Sequence, residues 1–162
     1  MIKTMNKAGA LLLGAALLFS ACTKDPEVER TNTEEFGGEW YIQYYESGQS
    51  LTDYHKILTY NTADPNSSQV WVDDPDVWPF KAKLDVDPQA FTFKAMNGAT
   101  DVANGSGLTI KVYEGKVMPK AGKSKSGNTV DSIYLKVEFS DDPGTIYEIK
   151  GHQRTGFFED EY

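Results

Sequence analysis

Apolar and polar residues alternate along several short stretches of the chain, and this period of two constrains the fold more than any other feature. In the stretch FKAKLDVD at 80–87, every apolar residue is followed by a lysine or an aspartate. The stretches at 108–112 and 133–139 repeat the alternation. Such a pattern is typical of strands that pack one face on a core and expose the other to water. It predicts antiparallel strands, because parallel strands are usually buried on both faces.

Clusters of proline, glycine, asparagine and aspartate separate these stretches, and no segment after the first 21 residues has a convincing helical periodicity. The pattern predicts an all-β fold, a single eight-stranded antiparallel up-and-down barrel, with a β-sandwich as the alternative. The segment 115–119 is expected to extend a neighbouring strand, since an odd number of strands cannot close an all-antiparallel barrel. The eight predicted strands are 39–46, 54–62, 68–74, 78–87, 89–96, 107–113, 131–140 and 145–154.

The side chains expected to face the interior of this barrel are bulky. An eight-stranded barrel is wide enough either to be filled by its own side chains or to hold one small ligand. We therefore predict a largely filled interior, with any binding site a shallow pocket at the open end. The predicted inward set includes Phe80, Leu84, Phe91, Phe93, Ile133, Leu135 and Phe139.

The first 21 residues have the features of an export signal. Lys3 and Lys7 precede an apolar run at 8–19, which is too short for the roughly 20 apolar residues that a spanning helix needs. The small residues directly before Cys22 resemble a bacterial lipoprotein signal. That resemblance implies a lipid attached to Cys22 and an outer-membrane location, on the periplasmic or the cell-surface face. An ordinary signal peptide cleaved near Ala21 is the alternative.

Residues 23–37 are rich in charge and proline, and they predict a flexible tether between the anchor and the folded body. The predicted organisation is a lipoprotein signal peptide at 1–21, a lipidated tether at 22–37 and a barrel domain at 38–162. The formal charge is −8, and it becomes more negative when the lysines of the signal are removed. Such a charge excludes nucleic acid as a partner. The single cysteine excludes a disulfide within the chain.

Gly38 and Trp40, with one residue between them, resemble the opening of lipocalin-like barrels. In those proteins the tryptophan lies at the closed end beneath an arginine of the last strand. Arg154 is available for this role, since the last strand of an eight-stranded meander ends beside the start of the first. We therefore predict a structural pair in which the Arg154 guanidinium lies over the Trp40 indole, a contact that contributes ~0.5 to 2 kcal/mol.

Several stretches together resemble a family of bacterial lipoproteins known as lipid-binding putative hydrolases. The resemblance covers nearly all of the chain after the signal, and it implies a lipocalin-like barrel on a lipid anchor. It carries no catalytic motif that could be matched to this sequence. The similar stretches are GEWY at 38–41, LTYNTAD at 58–64, VWVDD at 70–74, FKAKLDV at 80–86, SKSGN and DSIYLKVEF within 124–139, DDPGT at 141–145 and GHQRTGF at 151–157.

The residues that could support catalysis or metal binding do not form a recognisable motif. A hydrolase needs a nucleophile beside a base, and the sequence fixes no serine beside His55 or His152. Asp73, Asp74 and Asp76 lack the glycine and the distant glutamate of a calcium loop, so we expect solvated turn acids. No catalytic residue, metal or cofactor is predicted.

Aromatic residues in the first half of the chain are the remaining candidates for a binding site. We predict Tyr44, Tyr60, Trp71 and Trp78 as ligand-binding residues, with Trp71 on the outer face if the flanking valines face inward. The function predicted first is non-enzymatic binding of a small apolar or amphipathic ligand by a lipid-anchored envelope protein. The alternatives are an envelope module that binds a protein or a glycan, and a hydrolase.

Overall fold

The computed structural model describes residues 30–103 and 105–162, which form ten strands and two short 3-10 helices, Glu34–Phe36 and Phe158–Asp160. Within these residues no helix is long and apolar enough to cross a membrane. The strands are β1 (Gly38–Glu46), β2 (Gln49–Ser50), β3 (His55–Asn61), β4 (Gln69–Asp74), β5 (Phe80–Asp87), β6 (Thr92–Phe93), β7 (Met96–Thr100), β8 (Thr109–Lys123), β9 (Thr129–Phe139) and β10 (Tyr147–Gln153).

The strands close into one eight-stranded antiparallel barrel, which confirms the predicted fold. Closure is made by β1 and β10, which pair from Trp40 opposite Gln153 to Glu46 opposite Tyr147. The short strands β6 and β7 both pair with β8 and share one position in the barrel, while β2 pairs only with β1. Because the first and last strands pair with each other, the sandwich alternative does not hold.

Most predicted strands lie within a few residues of those observed, and 115–119 does extend a neighbouring strand, as part of β8. The predicted strand 89–96 is wrong in detail. Phe91 adopts a φ of 56°, which breaks the strand before β6, and its side chain is only half-buried. Between residues 96 and 107, where the sequence predicts no strand, the structure has most of β7. Short strands of this kind are hard to predict from the sequence, because glycine and asparagine have low β propensity.

The barrel interior is filled by its own side chains, as predicted. The inward residues of β5 and β9, from Phe80 to Phe139, are 0 to 2% exposed. They belong to one continuous apolar cluster that runs from one end of the barrel to the other. Because these side chains fill the interior, no room is left for a ligand along the barrel axis.

One end of the barrel, which we call the closed end, is covered by the segment that precedes β1. Phe36 is 0% exposed and packs edge-on against Phe93, with ring centroids 5.2 Å apart. The Trp40 indole N–H donates to Thr59 Oγ1 at 2.7 Å, and the Thr59 hydroxyl in turn donates to the Phe36 carbonyl. The packed body therefore begins before residue 38, and the predicted tether 22–37 extends too far.

The predicted contact between Trp40 and Arg154 is wrong, although the strands that carry them are neighbours as expected. Gln153 lies opposite Trp40, so Arg154 falls opposite Glu39, and the Arg154 N–H donates to the Glu39 carbonyl. Directly opposed residues share a face of the sheet, which puts Arg154 outside and Trp40 inside. The guanidinium pairs instead with Glu39 and Glu161, each at 2.6 Å.

Candidate binding site at the barrel mouth

The end opposite Phe36 is formed by four loops, which we call the mouth. The loops are 47–54 between β1 and β3, 75–79 between β4 and β5, 101–108 between β7 and β8, and 140–146 between β9 and β10. In the third of these loops, Asp101 Oδ1 accepts the backbone N–H groups of Lys81 and Ala103. Asp101 is 4% exposed and ties this loop to the start of β5.

Three polar side chains from neighbouring strands meet just inside the mouth. Tyr44 donates its hydroxyl to Asp74 Oδ2 at 2.8 Å, and His55 Nε2 lies 3.2 Å from the same oxygen. The rings of Tyr44 and His55 are stacked with centroids 5.6 Å apart. The other carboxylate oxygen of Asp74 accepts the backbone N–H groups of Asp76 and Val77. Every oxygen of this buried carboxylate is thus used, as a buried charge requires.

The environment of this group favours an ion pair between His55 and Asp74. Burial alone would raise the pKa of Asp74, but the hydrogen bonds from His55, the backbone and Tyr44 outweigh it and lower the pKa. Burial alone would lower the pKa of His55, but the Asp74 carboxylate outweighs it and raises the pKa. Burial, followed by the Asp74 charge, raises the pKa of Tyr44 well above its usual value, so the phenol remains a donor.

A cluster of aromatic rings lies beside this polar group and forms the floor of the mouth. Trp78 stacks on Phe139 with centroids 4.2 Å apart and meets Tyr147 edge-on at 4.8 Å. Above the floor is a cleft of about 360 Å³ between Trp78 and Pro79 on one side and Leu108 and Asp141 on the other. Trp78 is only partly buried, so one part of its ring remains available to a ligand.

An apolar ring surrounds the mouth. Each of the four loops contributes one exposed aliphatic side chain: Leu51 is 51% exposed, Val77 44%, Val102 57% and Ile146 39%. Among the residues that the structure describes, these are all of the large aliphatic side chains that are exposed. Single exposed apolar residues are ordinary, but four aliphatic side chains gathered at one end of a barrel mark a surface for apolar contact. Two further exposed apolar residues, Phe157 at 58% and Phe158 at 93%, lie after β10 and away from the mouth.

The four aromatic residues predicted to bind a ligand divide between two places. Tyr44 and Trp78 lie at the mouth, as described above. Tyr60 and Trp71 are opposite each other on β3 and β4 and face outward, while the valines beside Trp71 are buried. Lys81 and Lys83 lie over the Trp71 ring at 5.2 and 4.8 Å, and Tyr60 donates its hydroxyl to Asp73. This outer pair is half-covered by its neighbours, which is typical of a cross-strand aromatic pair.

The second histidine lies on the outer face, where the chain after β10 folds back on the barrel. His152 is 6% exposed, and its Nε2 is 3.1 Å from the Tyr162 hydroxyl. The strand register puts Ser132 directly opposite His152. The sequence alone did not indicate this serine, because the pairing of β9 with β10 brings together residues 20 positions apart. No hydrogen bond joins the two side chains in the described part of the chain.

The aspartates around Pro75 do not converge, and the expectation of solvated turn acids is wrong for one of them. Asp74 is 1% exposed and faces the interior, whereas Asp73 faces outward toward Tyr60 and Lys81. The alternation already contained this signal, since Val70, Val72 and Asp74 fall on one face of β4. Across 30–103 and 105–162, no three acidic, histidine or cysteine side chains are arranged to hold a metal ion.

A closed eight-stranded barrel with a filled core, one covered end and a shallow cleft at the other is a lipocalin-like barrel. A family model described as lipid-binding putative hydrolase matches residues 25–158, so the chain belongs to this family. This confirms the resemblance in the sequence, and it makes lipid binding the function that the family supports. A search of the curated proteins found no match.

Proposed function

We propose that this protein is an outer-membrane lipoprotein, anchored through Cys22, that binds a small apolar or amphipathic molecule at the mouth without catalysing a reaction on it. Cys22 lies outside the described residues, so the anchor rests on the resemblance of residues 1–22 to a lipoprotein signal. Lipid binding is supported by the family of the chain. The position of the site is argued from the geometry of the mouth.

The cleft above Trp78 carries the proposal. Its volume of about 360 Å³ lies at the lower end of the range for small-molecule sites. The ring of Trp78 and the side chain of Leu108 offer apolar contact, and Ser140 and Asp141 supply polar groups at the edge. Because the core below is filled, an acyl chain would lie across the mouth rather than along the barrel axis.

A shallow depression on the outer face is larger, at about 420 Å³, but fits a lipid less well. Its lining includes Lys150 and Glu148, whose side chains form an ion pair at 2.7 Å. Covering such a pair with an acyl chain would remove water from both charges without providing new partners. Covering the mouth, which has an aromatic floor and an apolar ring, carries a smaller desolvation penalty.

The two alternative functions have weaker support. A glycan platform would need the Tyr60 and Trp71 rings to be open, and lysines lie over both of them. One feature favours a hydrolase, namely Ser132 directly opposite His152. However, Nε2 of His152 is already within hydrogen-bond distance of the Tyr162 hydroxyl. An esterase activity that disappears in the variant His152→Ala would contradict the non-enzymatic proposal.

Substitution of Trp78 tests the position of the site. In the mature protein carrying Cys22→Ser, purified without detergent, we expect Trp78→Leu to weaken the binding of dodecyl maltoside about tenfold, because aromatic anchors dominate binding energy. Trp71→Leu is the matched control on the outer face, and its affinity should equal that of the parent protein. The measurement is isothermal titration calorimetry below the critical micelle concentration.

Native mass spectrometry of protein purified from its own membranes provides a second readout. A retained small amphiphile should be present in the parent protein and depleted in the Trp78→Leu variant. The proposed site is wrong if Trp71→Leu weakens binding as much as Trp78→Leu does, or if neither variant changes it.

A further inference from the structure

The charges of the mouth have one sign. The four mouth loops contain five aspartates and no lysine or arginine, and Glu46 ends the strand before the first loop. Elsewhere on the barrel, lysines are interspersed with acids, for example at 81–87. A surface that presents apolar side chains among acids alone has a negative potential, which attracts cations and repels anions.

The nearest cations do not neutralise this potential. His55 is held by Asp74 just inside the mouth, so that pair cancels its own charge. Lys81 and Lys111 lie on the outer face, where they pair with Asp73 and Glu138 at 3.8 and 3.7 Å. None of the ion pairs among the described residues involves Asp53, Asp76 or Asp141, and all three are exposed.

Asp141 is the acid best placed to act on a bound molecule. It lines the cleft together with Trp78 and Leu108, so a ligand whose chain covers the indole has its polar end beside this carboxylate. The four aliphatic side chains of the apolar ring stand around the same opening.

We infer that the mouth selects an amphiphile with a positively charged head, such as an alkylammonium, and discriminates against fatty acids and other anionic lipids. The inference rests on the proposed site at the mouth and specifies the ligand class for it. The apolar ring and the Trp78 face hold the chain of the ligand, and the aspartates set the charge of its head. A neutral head is accepted with intermediate affinity.

The test compares three amphiphiles with the same chain length, dodecyltrimethylammonium, dodecyl maltoside and dodecanoate. Each is titrated below its critical micelle concentration into the mature protein carrying Cys22→Ser. We expect affinity to fall in that order, with a difference of about tenfold between the cation and the anion at low salt that shrinks at high salt. Asp141→Asn should lower the ratio of the affinity for the cation to the affinity for the maltoside about threefold.

Glu159→Gln is the matched control, because it removes one exposed acid outside the mouth and changes the net charge equally. The inference is overturned if dodecanoate binds as tightly as the cation, or if Glu159→Gln acts as strongly as Asp141→Asn. Failure of dodecyl maltoside to bind would instead overturn the site itself, so the two results are distinguishable.

Discussion

Asp74 shows how one carboxylate can organise the inside of a small barrel. Its side chain is 0% exposed, and it accepts hydrogen bonds from Tyr44 and from two backbone N–H groups while facing His55. Removing one partner of such a buried ion pair is costly because the other charge is left without compensation. The same carboxylate also holds the 75–79 turn, which carries Trp78 in the floor of the mouth.

Asp74→Asn should therefore lower the free energy of unfolding at pH 6 by about 3 kcal/mol, since it removes the charge that faces His55. Asp73→Asn is the matched control. The Asp73 carboxylate pairs with Lys81 on the outer face, where such pairs contribute at most about 1 kcal/mol. Urea denaturation followed by tryptophan fluorescence measures both variants. Equal losses in the two variants would contradict the role assigned to Asp74.

The stability difference between the parent protein and Asp74→Asn should depend on pH in a defined window. The lowered pKa of Asp74 gives stability that is present above its ordinary pKa of 3.8 and is lost as the pH falls through the lowered value. The raised pKa of His55 gives stability that is present below its ordinary pKa of 6.5 and is lost as the pH rises through the raised value. The difference should be largest between about pH 4 and 6.5 and decline on either side.

At the level of elements, the closure between β1 and β10 depends on a glycine. A Cβ atom added at Gly151 would lie 2.1 Å from the Tyr41 carbonyl oxygen and 2.8 Å from the Ile42 Cα, both on the neighbouring strand. These are backbone atoms, so they cannot move away without separating the two strands. Gly151 thus allows the first and last strands to approach closely enough to pair.

Gly151→Ala should destabilise the protein by about 3 kcal/mol or more, because overpacking against backbone cannot be relieved by a change of rotamer. Gly98→Ala is the control, since this glycine is also in a strand and its nearest atom would be 3.7 Å from the new Cβ. It should change the stability by less than about 1 kcal/mol. The measurement is thermal unfolding by circular dichroism. If both variants unfold at the same temperature, the pairing of β1 with β10 does not depend on a glycine at position 151.

At the level of the whole molecule, the two ends of the barrel have different roles. The described chain enters at the closed end, where the Asn32 N–H donates to the Pro65 carbonyl and Phe36 covers the core. A lipid on Cys22 would therefore hold the barrel by its closed end. The mouth, with its cleft and apolar ring, lies at the other end of the barrel and stays accessible to a ligand.

Cys22→Ser tests the anchor for the whole protein. We expect the parent protein to partition into the detergent phase of a Triton X-114 extraction and the variant to move to the aqueous phase, because each buried methylene of an acyl chain contributes about 0.8 kcal/mol. Thr23→Ser is the control and should behave as the parent. A variant that remains in the detergent phase would show that something other than a lipid on Cys22 holds the protein to the membrane.

The sequence predicted the barrel because its main signal is local. Alternation along 80–87 and 133–139 indicates which face of each strand is buried. This can be seen in a single strand, without knowing which strands pair with it. The same alternation put Trp71 on the outer face only if Val70 and Val72 face inward, and the structure buries both valines. It failed at 89–96, where Phe91 leaves the extended conformation and the strand is divided.

The sequence by itself determined the all-β class, the filled core and the family, since these follow from residue type and from a period of two. The tertiary structure decided the rest, because closure and register bring together residues that are far apart in the chain. Register moved Arg154 away from Trp40 and put Ser132 opposite His152. Closure of the barrel gathered Tyr44, His55 and Asp74 inside one mouth and collected the exposed aliphatic residues and aspartates of four separate loops around it.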